Sequence, residues 1–305
     1  MNYFIPAKTF LIGEYSALVG GSVLGLATNP GFEVRYSNEI SIPIPGSFKF
    51  HPQSPAGILQ IKNTQKKTPQ QDLHNFEFID HIKTGGFGRS TAEYLSLIIP
   101  NLKIKNQKNE NYFLKIKKEY QEHAQGIQVS GQDLAIQYFG KVTYFNGSNN
   151  NYETLDWKLN NYEFFLVSTG IKVATHEHLQ EINLSKIKHF AAFSDPLIGL
   201  YFTSAVDFIQ GLKEWTQFLK VEKKIIQHSL DLMEILDQDS DILCAKPCGA
   251  LGADVLLIIC QKEKAAHVQH NILSKGLSIK ASSVDLALGL KSQLGLGADR
   301  ILHVD

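Results

Sequence analysis

Three glycines within four residues, set between a strand-like run and a helical one, constrain this chain more than any other feature. The stretch from Lys83 to Leu95 reads KTGGFGRSTAEYL, so Gly85, Gly86 and Gly88 lead through Arg89 into Ser90, Thr91 and Glu93. Upstream, NFEFIDHIK (75–83) alternates apolar and polar residues, the period of a half-buried strand. Downstream, STAEYLSLII has helical period and is predicted to stop before Pro100. A glycine turn feeding a helix leaves backbone N–H groups pointing outward where the helix dipole favours an anion. The same residues also make a plain connection capped by Ser90 and Glu93 at capping-box spacing, and both readings stand at this point. No Gly-Lys-Ser/Thr closes the turn, which excludes a Walker loop.

Charge sharpens the question. Thirty basic and thirty acidic side chains cancel, so no global field draws nucleic acid or an anionic membrane, and any anion site must be local. Arginine occurs only at 35, 89 and 300, which makes Arg89 inside the glycine turn conspicuous. The lysines at 103–118 surround a periodic helix (Tyr112, Phe113, Ile116, Tyr120) and read as its solvated face. Cys244, Cys248 and Cys260 form no zinc or disulfide pattern and read as buried thiols. His176, His178, His267 and His270 read as surface or cap histidines. No uncharged run reaches the length of a membrane helix and no basic region precedes the apolar N-terminus, so a cytoplasmic protein is expected.

The order of elements predicts an α+β fold. FEVRYS (32–37) reads as a strand, and the five prolines between 38 and 74 predict loop and short edge strands. YEFFLVSTG (162–170) and DVLLIIC (254–260) read as buried strands, 212–236 as one long amphipathic helix, 263–276 as a helix stopped by Gly276, and RILHV (300–304) as a strand. The polar run NGSNNNYE marks a boundary, giving domains 1–155 and 156–305.

Three further stretches carry chemistry. PAKTFLIGEYSAL (6–18) places Lys8 in an apolar strand broken by Gly13, Glu14 and Tyr15; the lysine either snorkels or stabilises a reacting oxygen. In AQGIQVSGQD (124–133), Asp133 either caps a helix with Ser130 or faces a ligand and accepts a hydroxyl proton. In KPCGALGAD (246–254), small residues precede a strand, from turn chemistry alone or because a ligand approaches the backbone.

Taken in this order, the four stretches resemble the signature of the GHMP small-molecule kinases. PAKTFLIGEYSAL is similar to P-G-K-x-x-x-x-G-E-[YH]-[AS]-V, GFGRSTA to G-L-G-S-S-A, AQGIQVSGQD to A-Q-G-x-x-G-S-G-x-D and KPCGALGAD to K-P-S-G-A-G-G-G-D. STGIKVATHEHL (168–179) resembles a D-T-G-x-x-x-S-T segment. The Glu-Tyr, AQG and KP features resemble phosphomevalonate kinases more than mevalonate kinases. The resemblance implies a two-domain GHMP kinase fold, with a ribosomal-protein-type βαβ N-terminal domain and a ferredoxin-like C-terminal domain. It implies ATP and Mg²⁺, a small-molecule substrate, no nucleic acid or membrane partner, and a monomer or homodimer. By position, Asp133 and Lys8 would be catalytic. Gly85, Gly86, Gly88, Arg89, Ser90 and Thr91 would bind the ATP phosphates. Glu14, Tyr15, Ser130, Gly131, Lys172, Thr175, Gly249 and Ala250 would meet the substrate, and Ser90 with Glu122 would hold Mg²⁺.

The chain departs from the pattern at Ala7, Arg89, Thr91, Leu251 and Ala253. A side chain at a left-handed position costs on the order of 1 kcal/mol. Arg89 either binds phosphate or fills the nucleotide site. Rival readings are a kinase of mevalonate or another small alcohol, and a GHMP-fold binding protein that has lost catalysis.

Overall fold

A computed structural model describes residues 1–37, 49–65, 76–105, 112–124, 129–171, 173 and 182–295. The first sheet is built on a long hairpin of β1 (Asn2–Ile12) and β2 (Ser22–Tyr36). The far edge of β2 serves two partners. Phe32–Tyr36 pairs with β3 (Phe76–Asp80), and Ser22–Leu26 pairs with β4 (Val142–Asn146), which β5 (Tyr152–Leu155) flanks. Helices α1 (Pro55–Gln65), α2 (Arg89–Lys105), α3 (Tyr112–His123) and α4 (Gln132–Phe139) accompany it. At Gly25 the sheet admits α4 closely, since a Cβ there would stand 2.1 Å from Ile136 Cδ1.

The second sheet holds β6 (Tyr162–Ser168), β7 (Ile242–Cys248), β8 (Val255–Gln261) and β9 (Ser278–Ser282) in the order β7-β8-β6-β9, all antiparallel. Helices α5 (Lys188–Thr203), α6 (Ala205–Val221) and α7 (Gln227–Leu236) connect β6 to β7, and α8 (Ala265–Ser274) connects β8 to β9. This is the interleaved order of a ferredoxin-like unit. Both faces are covered, which explains the continuous apolar runs. Phe164 and Leu166 enter the main core that spans both sheets, while the alternate residues Phe165 and Val167 enter a smaller one with Leu236, Val268 and Ile272. The chain finally returns to the first sheet. Leu286 bridges Thr28, Leu288 bridges Gly140, and the Phe4 N–H donates to the Gln293 side chain at 2.8 Å.

Several expectations are corrected. Residues 55–65 are helical rather than loop, because Pro55 occupies a first helical position, where its missing N–H costs nothing, and the Gly57 N–H donates to Ser54 Oγ at 3.1 Å. Helix α2 runs through Pro100. Proline removes the donor to the Ser96 carbonyl, but the Tyr36 hydroxyl donates to that carbonyl instead. The stripe at 212–236 is two helices, broken at Lys223 (φ 54°) where the Ile226 N–H turns to the Leu251 carbonyl at 3.0 Å. RILHV lies outside the described residues. No described helix is long and apolar enough to cross a membrane.

Candidate active site

The glycine turn joins β3 to α2 and is stitched to β1, whose Lys8 N–H donates to the Phe87 carbonyl at 2.9 Å. Gly86 (φ +86°) and Gly88 (φ +83°) are left-handed, and added Cβ atoms would lie 2.1 Å from Asp254 Cβ and 2.5 Å from Lys8 Cγ. Glycine is thus required twice over, for conformation and for approach. Helix α2 begins at Arg89, so Ser90 lies inside its first turn and the expected Ser90/Glu93 capping box does not form. Glu93 instead receives Arg89 Nε at 2.9 Å, while Asp80 receives Arg89 Nη1 at 3.2 Å. Arg89 is therefore pinned at the rim, its side chain 56% exposed, and does not fill the cleft.

Helix α4 starts after left-handed Gly131 (φ 73°), which puts Asp133 in its first turn. The Ser130/Asp133 cap does not form either. Ser130 Oγ accepts from the Gln132 N–H at 3.2 Å, leaving the Asp133 carboxylate to meet Lys8 Nζ at 2.9 Å. Lys8 comes from the middle of β1 and is buried, with 9% of its side chain exposed against 34% for Asp133. Its reach across the Phe10 ring (4.4 Å to the centroid) keeps the ammonium aimed at the cleft. Tyr120 on α3 completes this wall. Burial, then the charge of Asp133, pushes its phenol well above the ordinary range.

The opposite wall is the turn at 249–253. A Cβ on Gly249 (φ +90°) would sit 2.3 Å from Asp254 Oδ2, so Asp254 separates the two glycine turns at van der Waals distance from both. Leu251 does adopt a left-handed conformation (φ 51°, ψ 27°), held by its N–H on the Tyr15 hydroxyl at 3.2 Å and its carbonyl on the Ile226 N–H. Ala253 is right-handed (φ −86°), and Ala7 lies in extended β1, so neither alanine is strained. Glu14 lines the cleft, yet its oxygens are taken by Lys246 Nζ at 2.7 Å and Trp215 Nε1 at 3.3 Å. Burial keeps the Tyr15 phenol protonated, as its raised pKa reflects.

These walls enclose one cleft of about 560 Å³. Lys8, Glu14, Tyr15, Gly85, Gly86, Gly88, Arg89, Ser90, Thr91, Ser130, Gly131, Asp133, Gly249 and Ala250 all line it. Glu122 does not. It is exposed, because Tyr120 occupies the inward face of α3 and a residue two further on is rotated by roughly 200°. Lys172 and Thr175 lie outside the described residues. Sequence reading missed Asp80 and Tyr120, which line the cleft with Lys83 and Asp254. Asp254 ends the quoted KPCGALGAD run, so only its role was hidden. The arrangement offers helix N-terminal amides for an anion, a lysine beside a carboxylate that can take a proton, and room for a small substrate. Ser90 Oγ lines the cleft at the start of α2, an oxygen donor of the kind Mg²⁺ takes while it keeps waters and is otherwise bound by substrate phosphates. Away from the cleft, Asp239, Asp241 and His267 cluster within 4.8 Å, with Lys264 and Asn271 already on the two carboxylates.

No protein-family model matches the chain, and no curated protein does. Solved structures do. The galactokinase of Lactococcus lactis complexed with galactose superposes with a TM-score of 0.71 at 13% identity, over 94% of each chain. The chain has the GHMP-kinase fold. Streptococcus pneumoniae phosphomevalonate kinase, in complex with phosphomevalonate and AMPPNP, gives 0.69 at 14% identity, over 92% of this chain and 99% of that one. Methanococcus jannaschii mevalonate kinase gives 0.67 at 17% identity, over 92% and 97%. At these identities the likeness concerns the fold.

Proposed function

We propose that this protein is an ATP- and Mg²⁺-dependent kinase that phosphorylates a small mevalonate-pathway substrate, phosphomevalonate before mevalonate. Residues 1–155 would carry phosphate binding and catalysis, and 156–305 would complete the cleft. One observation carries the reading. The Lys8–Asp133 pair and the glycine turn share a single cleft, stitched together through the backbone of β1. In phosphoryl transfer the protein contributes chiefly positioning and charge neutralisation. Asp133 would accept the proton of the acceptor hydroxyl as its oxygen bonds to the γ-phosphorus and ADP departs. Lys8 would stabilise the developing negative charge while fixing the carboxylate's orientation. Amides at the start of α2 would hold the phosphates. Mg²⁺ held at Ser90 and by the substrate phosphates would supply further neutralisation, leaving Asp133 to take the proton. The preference for phosphomevalonate rests on the Glu14-Tyr15, AQG and Lys246-Pro247 features of the sequence.

ADP release from ATP should require (R)-5-phosphomevalonate and disappear in Asp133→Ala. Turnover with mevalonate alone would move the assignment to the other acceptor. A second reading, a binding protein without catalysis, is favoured by the outward position of Glu122. Stabilisation by Mg-ATP in a thermal-shift measurement, with no turnover on either acceptor, would select it.

A further inference from the structure

Gln137 lies one helical turn beyond Asp133 on α4 and is fully buried. A buried primary amide with no role in the chemistry above calls for an account of its hydrogen bonds. All are directed at the glycine turn and its foundation. Its Nε2 donates to the Pro6 carbonyl on β1 at 2.9 Å and to the Gly88 carbonyl at 3.1 Å, and its Oε1 accepts from the Thr91 hydroxyl. Thr91 Oγ1 also lies 2.8 Å from the Gly88 carbonyl, which accepts the Ala92 N–H at 3.0 Å as well. Two donors, Gln137 Nε2 and the Ala92 N–H, therefore converge on one carbonyl, and the single Thr91 hydroxyl proton is shared between that carbonyl and Gln137 Oε1.

Peptide planarity turns this into a statement about the cleft. In a trans peptide the N–H is antiparallel to the preceding C=O. Anchoring the Phe87 carbonyl on the Lys8 N–H directs the Gly88 N–H away from β1. Anchoring the Gly88 carbonyl on Gln137 and Thr91 likewise directs the Arg89 N–H away from α4, on the side where Gly88 and Arg89 line the cleft. Two successive amides so aimed make an anion-binding nest. We infer that Gln137 and Thr91 form a clasp that sets the direction of the phosphate-binding amide of Arg89 and couples it to the helix carrying Asp133. Thr91, a departure from the alanine of G-L-G-S-S-A, thereby acquires a reason. Gln137 is a positioning residue, and its assignment rests on the kinase reading.

The test is the affinity for AMPPNP, measured by calorimetry without acceptor, in the full chain and in Gln137→Leu and Thr91→Val, with ligand-free melting temperatures alongside. Gln137→Leu is expected to weaken AMPPNP about tenfold, the scale of one hydrogen bond to a charged group, and Thr91→Val about threefold. The KM for ATP should rise in parallel while the KM for the acceptor stays unchanged. In the double variant the losses should not add, since both residues hold one carbonyl. Unaltered AMPPNP affinity in folded variants, whatever their melting temperatures, overturns the clasp and leaves the kinase reading intact. If Gln137→Leu does not fold, Thr91→Val decides alone. Failure of the unsubstituted chain to bind AMPPNP removes both the clasp and the kinase reading.

Discussion

Two glycine turns border the cleft on either side of Asp254, and they are held differently. At 86–88 every left-handed position is a glycine, and the turn is fixed through its own carbonyls by Lys8, Gln137 and Thr91. At 249–252 a leucine occupies one left-handed position, and the turn is fixed from behind by Tyr15 and by the buried Glu14–Lys246 pair at its foot. The first turn keeps its amides available for a ligand. The second is braced by side chains and behaves as a wall. Shared glycine content therefore does not imply equal function: both turns are bonded through carbonyls, and the second also spends the Leu251 amide on Tyr15.

The largest expected effect lies behind the second turn. Lys246 is fully buried against Glu14, so Lys246→Met strands a buried carboxylate and should destabilise the protein by about 3–5 kcal/mol in denaturant unfolding. Removing both charges with Glu14→Gln in the same chain should restore much of that loss. A small effect of the single variant would show that this wall is not braced as described. Next comes Gly86→Ala, where a Cβ at φ +86° would meet Asp254 Cβ at 2.1 Å. Left-handed strain alone is worth about 1–2 kcal/mol, and a melting-temperature drop beyond that reports the collision. Arg89→Ala should be milder. Its ion pairs with Asp80 and Glu93 are half exposed, so a stability change within about 1 kcal/mol is expected, and a larger one would make Arg89 a structural strut of the first turn. The smallest effect is chemical. Burial pushes the Cys244 thiol up to about 12 and raises that of Cys248, which packs beside Lys246. Both should resist a thiol reagent at pH 8 until the protein is unfolded, since the reactive thiolate is then scarce. Prompt labelling of Cys248 in the native state would mean that the second turn opens.

The fold class was legible in the sequence, and the stretches read as carrying chemistry share one cleft. Glycine turns, a lysine in an apolar strand and a carboxylate after Ser-Gly are local signals, and the backbone brought them together in one cleft. Glu122 was misplaced because spacing from Asp133 counts residues along the chain and says nothing about which face of α3 turns inward. Gln137 carried no signal, since its partners Pro6, Gly88 and Thr91 lie on distant stretches of the chain. Among elements, α1 was hidden by reading Pro55 as a breaker when it starts a helix. The continuation of α2 past Pro100 depended on a hydroxyl from Tyr36, a residue on another strand. Helix α5 and strands β7 and β9 fell where apolar periodicity is weak or both faces are covered. Of the departures from glycine in the pattern, Leu251 is left-handed and Ala253 is not, and only the structure shows which and what holds it there.

The return of the chain to its first sheet has a consequence for how the protein is made. Phe4 meets Gln293, a separation of 289 residues, and contacts this distant in sequence form late because the intervening loop must be closed first. On the ribosome the opening hairpin must wait, with the far end of α4 uncovered at Gly140, until nearly the whole described chain has emerged. Closure of the first sheet thus waits on residues 286–293, and termination ahead of residue 286 would release a chain whose first sheet still lacks its final cover.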